Sequence, residues 1–397
     1  MDRIAYKEAL SLTLERISPL PPELVSVEDL PGMVLAEDIF AAVDSPLQDI
    51  SFKDGYAVKS EDVRGASEER PVVLRLKGAL SPEHGNELMV VSGSAVKVMS
   101  GSVIPEGATA VVSREFASDD GVTVKVCNDA SPGRNILKKG RDVRKGERIV
   151  CKGTKLSPME VGLIAAAGHE SAMACPLPRV TVISTGEETL AAGKVFANNL
   201  VTISAWCSRY GINNRNVVAS EREKDIAEAI RQSLDLSDCI ITSGSSWEDD
   251  GGLVIRILDR MGWEKLYHHV SMGPGKTVGF GLIGAKPVFC LPGGPSANQV
   301  AFLQLALPGL LALSGQKGKG LPFRRAVLGE TIRGQEDWTH FVFGRLSPSG
   351  RGLLFHPLKE ERRLRMMAEA EGIVCIPPGV RGLEKGTRVN VQLTSGE

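Results

Sequence analysis

The sequence predicts a multidomain α/β protein, with one parallel-sheet domain and β-rich segments on either side of it. Three observations carry this. The chain has 397 residues, too many for one ordinary hydrophobic core. From about residue 176 to residue 315, strand-like apolar runs alternate with amphipathic helical runs, as crossover-linked parallel strands require. Outside that stretch, short β-branched runs broken by glycine and proline suit antiparallel sheet or barrel pieces.

Residues 4–18 have helical spacing, with Tyr6, Leu10, Leu14 and Ile17 on one side. Strand-like sequence follows, from "LVSVEDL" through "VVLRLKGAL" and "VKVMSGSVIPEGATAVVSREF" to "GVTVKVCNDA". "LSPMEVGLIAAAGH" is an amphipathic helix, with Ser157 as N-cap and Gly168 as its stop. At Pro176 the texture changes. "RVTVISTGEE", "DCIITSGSS" and "PVFCLPGGPSANQ" each run from a strand into a glycine turn, with helices and the strand "RNVVAS" between them. Ligands of such sheets bind outside the carboxyl ends of the strands, where all three turns fall. "SGQKGKGLP" is a linker by composition. After it, "RRAVLGETI", "THFVFGRLS", "GIVCIPPG" and "RVNVQL" read as a small β domain, together with the charged segment "KEERRLRMMAEAEG".

Composition excludes some partners. With 24% charged and 42% hydrophobic residues and a formal net charge of −1, nothing global attracts nucleic acid or an anionic membrane. The apolar run Gln299 to Leu313 is short for a membrane span, and the N-terminal "MDRIAYKEAL" lacks an apolar signal core. Seven scattered cysteines without a Cys-x-x-Cys pair read as buried, reduced thiols, and the cytoplasm is the expected compartment. Two motif matches are set aside. "GFGLIG" fits the dinucleotide pattern but precedes a strand instead of opening a helix, and "GPGKT" has Val270 where a Walker loop needs its first glycine. The pair His268-His269 on a strand would point to opposite faces, which argues against shared metal ligation.

Four turns remain: "SFKDGYAV" with Asp54, "STGEE" with Glu187 and Glu188, "SDCIITSGSS" with Asp238 and Thr242-Ser243-Gly244, and "LPGGP". Taken alone, "LPGGP" is either a chain corner or a phosphate cradle. In order and spacing the four resemble the MoeA family, the molybdopterin molybdenumtransferases, which includes the C-terminal domain of gephyrin. Its patterns are Ser-x-Met-Asp-Gly-Tyr-Ala, Ser-Thr-Gly-Asp-Glu-Leu, Thr-Ser-Gly-Gly-Val-Ser-x-Gly and Leu-Pro-Gly-Asn-Pro. "VMSGSVIPEGATAVV" and "GRDVRKGERI" match two further patterns, so the resemblance spans nearly the whole chain.

The resemblance implies a protomer of four parts that dimerises. These are an N-terminal linker and dimerisation domain (1–45 and 136–175), an inserted β-rich domain (46–135), an α/β molybdopterin-binding domain (176–315) and a C-terminal β-barrel domain (320–397). It implies insertion of molybdate or tungstate into adenylylated molybdopterin with release of AMP, assisted by Mg2+. The pterin nucleotide is then the small-molecule partner, and other cofactor-biosynthesis proteins are further candidates. Carried over by position, Asp54, Glu188, Asp142 and Asp238 are the catalytic carboxylates, and Asp54, Glu188 and Asp250 the metal ligands. Substrate would be held by Ser100, Thr185, Gly186, Thr242, Ser243, Gly244, Lys276, Pro292, Gly293, Gly294, Pro295 and Ser296. Carboxylates suit a hard cation against pyrophosphate, while glycine turns and helix starts suit phosphate.

The pattern also breaks. Lys53 replaces a methionine, and Ser100 stands where threonine is usual. "SSWEDDGG" replaces a small loop, with Gly252 at its second acidic position and Asp249, Asp250 and Trp247 nearby. Gly273 replaces the first lysine of Lys-Pro-Gly-Lys-Pro, Gly294 replaces the asparagine of "LPGNP", and Ala197 opens what is usually Asp-Ser/Thr-Asn. Two readings follow: a transferase with an altered pocket, or a divergent paralogue that binds molybdopterin or a partner protein with weak or no metal transfer. A gephyrin-like peptide scaffold, with "FRRAVL" at a dimer edge, is a third.

Overall fold

Val180–Thr185, Cys239–Ser243 and Lys286–Leu291 are buried along almost their whole length. A strand needs apolar residues at every position only when both faces of its sheet are covered. This is the case in the computed structural model, which describes residues 3–83, 88–185, 198–244, 252–316, 320–350, 352–359 and 363–395. The chain packs as two units, residues 24–31 with 35–173 and residues 1–23, 32–34 and 174–397.

In the larger unit a six-stranded sheet runs in the order Asn214–Ala219, Val180–Thr185, Cys239–Ser243, Lys286–Leu291, Gly279–Ile283, Glu264–His268. The first four strands are parallel, Gly279–Ile283 runs antiparallel to them, and Glu264–His268 pairs antiparallel with Gly279–Ile283. Alternation of side chains sends Val182, Ile241 and Phe289 into one core with Ile203, Phe302 and Leu305. It sends Ile183, Ile240 and Val288 into another with Ile226, Ile230 and Leu258. Successive strands lie on opposite sides of Val180–Thr185, so the strand order reverses there. The resulting crevice opens at the carboxyl ends of Val180–Thr185 and Cys239–Ser243.

The segment whose letters fit the dinucleotide pattern is itself a strand, Gly279–Ile283. Its glycines are explained by packing: a Cβ on Gly281 would lie 2.4 Å from Trp263 Nε1. The helix after "LPGG" runs from Pro295 to Leu313, longer than the apolar run alone suggests, with a π turn at Phe302–Ala306. Its 19 residues are long and apolar enough to cross a membrane, but 89% of that window is buried inside the protein. It is a core helix.

The N-terminal helix is Tyr6–Arg16, preceded by the short strand Ile4–Ala5. Its buried face centres on Ala9 and Thr13 rather than on Leu14, because Thr13 Oγ1 reaches its own Ala9 carbonyl and, at 2.8 Å, the Tyr267 hydroxyl. The C-terminal strands Thr339–Ser349, Gly352–Pro357, Phe323–Leu328, Arg388–Leu393 and Gly372–Ile376 pair in a ring, closed between the last and the first. Thr339–Ser349 serves two neighbours by turning at Gly344, where a Cβ would lie 2.2 Å from the Phe355 ring. Two more strands join this sheet in parallel: Val270–Gly273 beside Thr339–His340, and Ile4–Ala5 beside Val270–Ser271.

The smaller unit holds a six-stranded sheet, Ala117–Asp119, Thr123–Val126, Val72–Leu80, Ser94–Val98, Gly55–Val58, Ala110–Ser113. Tyr56, Val58 and Val112 fill one core and Ala57, Val96 and Val111 another, which accounts for its unbroken apolar runs. Helix Pro158–Ala166 starts as the sequence requires, with the Glu160 carboxylate accepting the Ser157 amide at 2.7 Å. Gly168 follows at φ +90°. Of the seven cysteines, all free, Cys175, Cys207, Cys239 and Cys290 are buried, and Cys151 and Cys375 are exposed.

Candidate active site

The carboxyl-end crevice of the parallel sheet brings Thr185, Thr242, Ser243, Gly244, Pro292 and Gly293 together. Gly244 sits at φ +140°, and a Cβ there would lie 2.4 Å from both the carbonyl and the hydroxyl oxygen of Thr185. Only glycine lets these two strand ends approach so closely. The Ser243 hydroxyl accepts from Asn298 Nδ2 at 3.0 Å and from Asn199 Nδ2 at 3.3 Å. The same two amides donate to the Pro292 and Gly293 carbonyls, each at 2.8 Å. Two asparagines therefore lace the "TSG" turn to the "LPGG" turn. Sequence reasoning missed Asn298, which is 1% exposed. Its only signal was a polar residue at the start of an otherwise apolar helix. That helix opens at Pro295 with Gly294 as N-cap, and the candidate Ser296 is buried in its first turn. Glu188, Gly186 and Asp250 lie outside the described residues.

Asp238 is placed elsewhere. It precedes Cys239–Ser243 at the amino end of that strand, five residues and roughly 16 Å from the turn. Arg179 holds it with Nε and the backbone amide on Oδ2 (3.2 and 2.9 Å) and Nη2 on Oδ1 (3.0 Å). The Asp238 amide returns to the Arg179 carbonyl at 2.8 Å. Although burial pushes the other way, these hydrogen bonds hold its carboxyl below the usual carboxylate range. It is an anchor between strands rather than a group facing the crevice.

Asp54 belongs to the smaller unit. Gly55 follows it because a Cβ there would lie 2.0 Å from the Val112 carbonyl oxygen, so the Asp-Gly pair is fixed by sheet packing. The Ser100 amide donates to Asp54 Oδ1 at 2.7 Å, so Ser100 acts here through its backbone. Asp54 lines two pockets. One, of about 560 Å³, adds Lys53, Ser100, Arg114 and Glu115. The other, of about 420 Å³, adds Tyr56, Lys97 and Arg114. Two of that second pocket's lining residues donate to Asp119, Lys97 through Nζ (2.8 Å) and Tyr56 through its hydroxyl (2.5 Å), and these bonds hold the Asp119 carboxyl down to about 2. Asp142 is exposed, its amide donating to the Ser45 carbonyl at 2.9 Å.

Among the described residues no group of three or more His, Cys, Asp or Glu is placed to hold a metal ion. Of the expected metal ligands Asp54, Glu188 and Asp250, only Asp54 is among the described residues.

His268 and His269 do not point apart. His269 takes φ +77° and breaks the strand, which brings the ring centroids to 4.2 Å. Beside them a pocket of about 540 Å³ is lined by Arg3, Gly273, Lys276, Pro292, Trp338 and His340, among others.

The chain matches three family profiles in series. These are the MoeA N-terminal region (domain I and II) over residues 4–168, the "Probable molybdopterin binding domain" over 181–312, and the MoeA C-terminal region (domain IV) over 325–394. The chain belongs to the MoeA family. It is 29% identical to molybdopterin molybdenumtransferase 2 of Mycobacterium tuberculosis, over 98% of each chain. It is 26% identical to molybdopterin molybdenumtransferase of Staphylococcus aureus, over 99% of this chain and 96% of the relative. The crystal structure of the molybdopterin biosynthesis MoeA protein from Pyrococcus horikoshii superposes with a TM-score of 0.76 at 29% identity, over the full length of both chains.

As a MoeA family member the chain departs from the family motifs at two glycines that packing does not explain. At Gly273 and Gly294 no atom lies within 4 Å of where a Cβ would stand, and neither has a left-handed φ. Neither glycine is demanded by the backbone, so both places would accept the side chains that the MoeA patterns carry there.

Proposed function

We propose that this MoeA family chain acts in molybdenum cofactor biosynthesis, inserting molybdate or tungstate into adenylylated molybdopterin with release of AMP. The observation that carries the reading is the laced crevice at the switch point of the sheet, where Gly244 and the two asparagines hold the turns. Its turn amides suit an anionic phosphate, and the Pro295–Leu313 helix starts beside them. Asp54, fixed through one oxygen by Ser100, is the proposed catalytic carboxylate, with Thr185, Thr242, Ser243, Pro292 and Gly293 as substrate-binding residues. Lys276 is the proposed cation for the oxyanion. Asp142 and Glu188 remain proposed site residues by their motif positions, whereas Asp238 is assigned to structure. The four-part domain division, a cytoplasmic homodimer and magnesium as an assisting ion belong to the same proposal.

The second reading, a paralogue with weak transfer, is favoured by the side chains missing at Gly273 and Gly294. One assay separates the two. Purified protein is incubated with adenylylated molybdopterin, magnesium and molybdate or tungstate, and AMP is followed. Release that is lost in Asp54→Asn supports the transferase. Tight binding of the nucleotide without release supports the paralogue, and no binding at all overturns both.

A further inference from the structure

The pocket beside the C-terminal barrel has a charge pattern of its own. Three parallel segments build it: Ile4–Ala5 pairs with Val270–Ser271, and Met272–Gly273 pairs with Thr339–His340. The Ile4 amide donates to the His269 carbonyl at 3.2 Å, which sets Arg3 at the pocket edge. Arg3 Cζ lies 5.5 Å from the Trp338 ring centroid and Lys276 Nζ 6.0 Å from it. Both cations therefore bear on one indole, within the range of cation–π attraction. Among the described residues the lining holds Arg3, Lys276, His269 and His340 and no carboxylate. Among the described residues, too, neither Arg3 nor Lys276 forms an ion pair. Gly273 lines the same pocket and faces open space.

We infer that Arg3 is a specificity-determining residue of this pocket, supplying from the N-terminal strand the second cation that Gly273 does not, so that Arg3 and Lys276 hold a tetrahedral dianionic oxyanion beside Trp338. The inference rests on the transferase reading for the role of that anion, which is either free molybdate or tungstate or a phosphate of the nucleotide. Its binding chemistry stands on the charges alone. Arginine suits the task because its planar guanidinium presents several donors to oxyanion oxygens while stacking on an aromatic face.

Calorimetric titration of the full chain with molybdate, and separately with pyrophosphate, tests this. Arg3→Gln removes the charge but leaves the backbone pairing of Ile4–Ala5 intact, and should raise Kd about tenfold for at least one probe. Weakening confined to molybdate identifies the free metal oxyanion as the ligand, and weakening confined to pyrophosphate identifies the nucleotide phosphate. Arg3→Lys should retain most of the affinity. The decisive arm is Arg3→Gln combined with Gly273→Lys, which should recover binding, since a lysine at 273 has room and borders the same pocket. A purely structural role for Arg3 would not be rescued there. Unchanged affinity in Arg3→Gln, absence of rescue in the folded double variant, or no binding of either probe by the unsubstituted protein overturns the assignment. AMP release with Arg3→Gln binding unchanged sinks this assignment alone. Arg3-dependent binding without AMP release sinks the transferase reading alone.

Discussion

Asp238→Asn separates a carboxylate that holds the fold from one that does chemistry. The substitution keeps size and one acceptor but removes the charge that faces Arg179. In the structure three Arg179 hydrogen bonds at 2.9, 3.2 and 3.0 Å converge on that carboxylate. Its side chain is 17% exposed, whereas that of Arg179 is 65% exposed. A charge-assisted hydrogen bond contributes about 1.5–3 kcal/mol when both partners are dry, and an exposed pair well under about 1 kcal/mol. With one partner in water the expected loss is about 1–2 kcal/mol, read as a lower urea midpoint at unchanged slope. Because the folded carboxyl titrates below its unfolded value, this stability is present above about pH 4 and is lost as pH falls through the folded value. A cycle with Arg179→Met should return most of the loss as coupling between the two residues. AMP release measured on the same protein should stay within about twofold, against the much larger loss that removal of a reacting group brings. A fall of about a hundredfold or more with the urea midpoint unmoved would refute the structural assignment and return Asp238 to the catalytic set.

The two glycine turns should respond oppositely. Gly244→Ala places a Cβ against Thr185 at a left-handed φ and should cost about 2–4 kcal/mol in urea unfolding; Gly294→Asn, in open space at an N-cap, should be neutral or slightly stabilising. His268 is 6% exposed, and burial, with His269 beside it, lowers its pKa from 6.5 to about 4. The unfolded chain then binds the extra proton between those values, so stability should fall by about 2–3 kcal/mol as pH drops from 6.5 to 4. His268→Leu should flatten that slope, and a slope unchanged by the substitution would assign it to other groups.

Much of the fold was written in local patterns. Parallel strands covered on both faces read as near-continuous apolar runs with few charges, so "VTVIST", "CIITS" and "KPVFCL" announced their sheet, and the three turns announced its carboxyl edge. What stayed illegible depends on partners far away in sequence. Gly55 and Gly281 are glycines because of Val112 and Trp263, and nothing near them in the chain says so. The same holds for Asn298, whose role appears only when the Cys239–Ser243 and Lys286–Leu291 strands pair and set Ser243 beside Pro292.

Two sequence readings meet the structure in different ways. The expectation that His268 and His269 point to opposite faces assumed a continuous strand, and Asp238 was placed among the site carboxylates by its position in the family motif. In the first case φ +77° at His269 ends the alternation. In the second the strand is regular, and its length itself carries Asp238 to the wrong end. A motif fixes which residues share an element, whereas a site is built from the ends of several elements. For that reason Arg3, about 270 residues before Lys276 and Gly273, could be brought to their pocket only by pairing between Ile4–Ala5 and Val270–Ser271. A charge missing from a motif can be supplied by an unrelated strand, so a departure such as Gly273 argues against activity only after the whole pocket wall has been inspected.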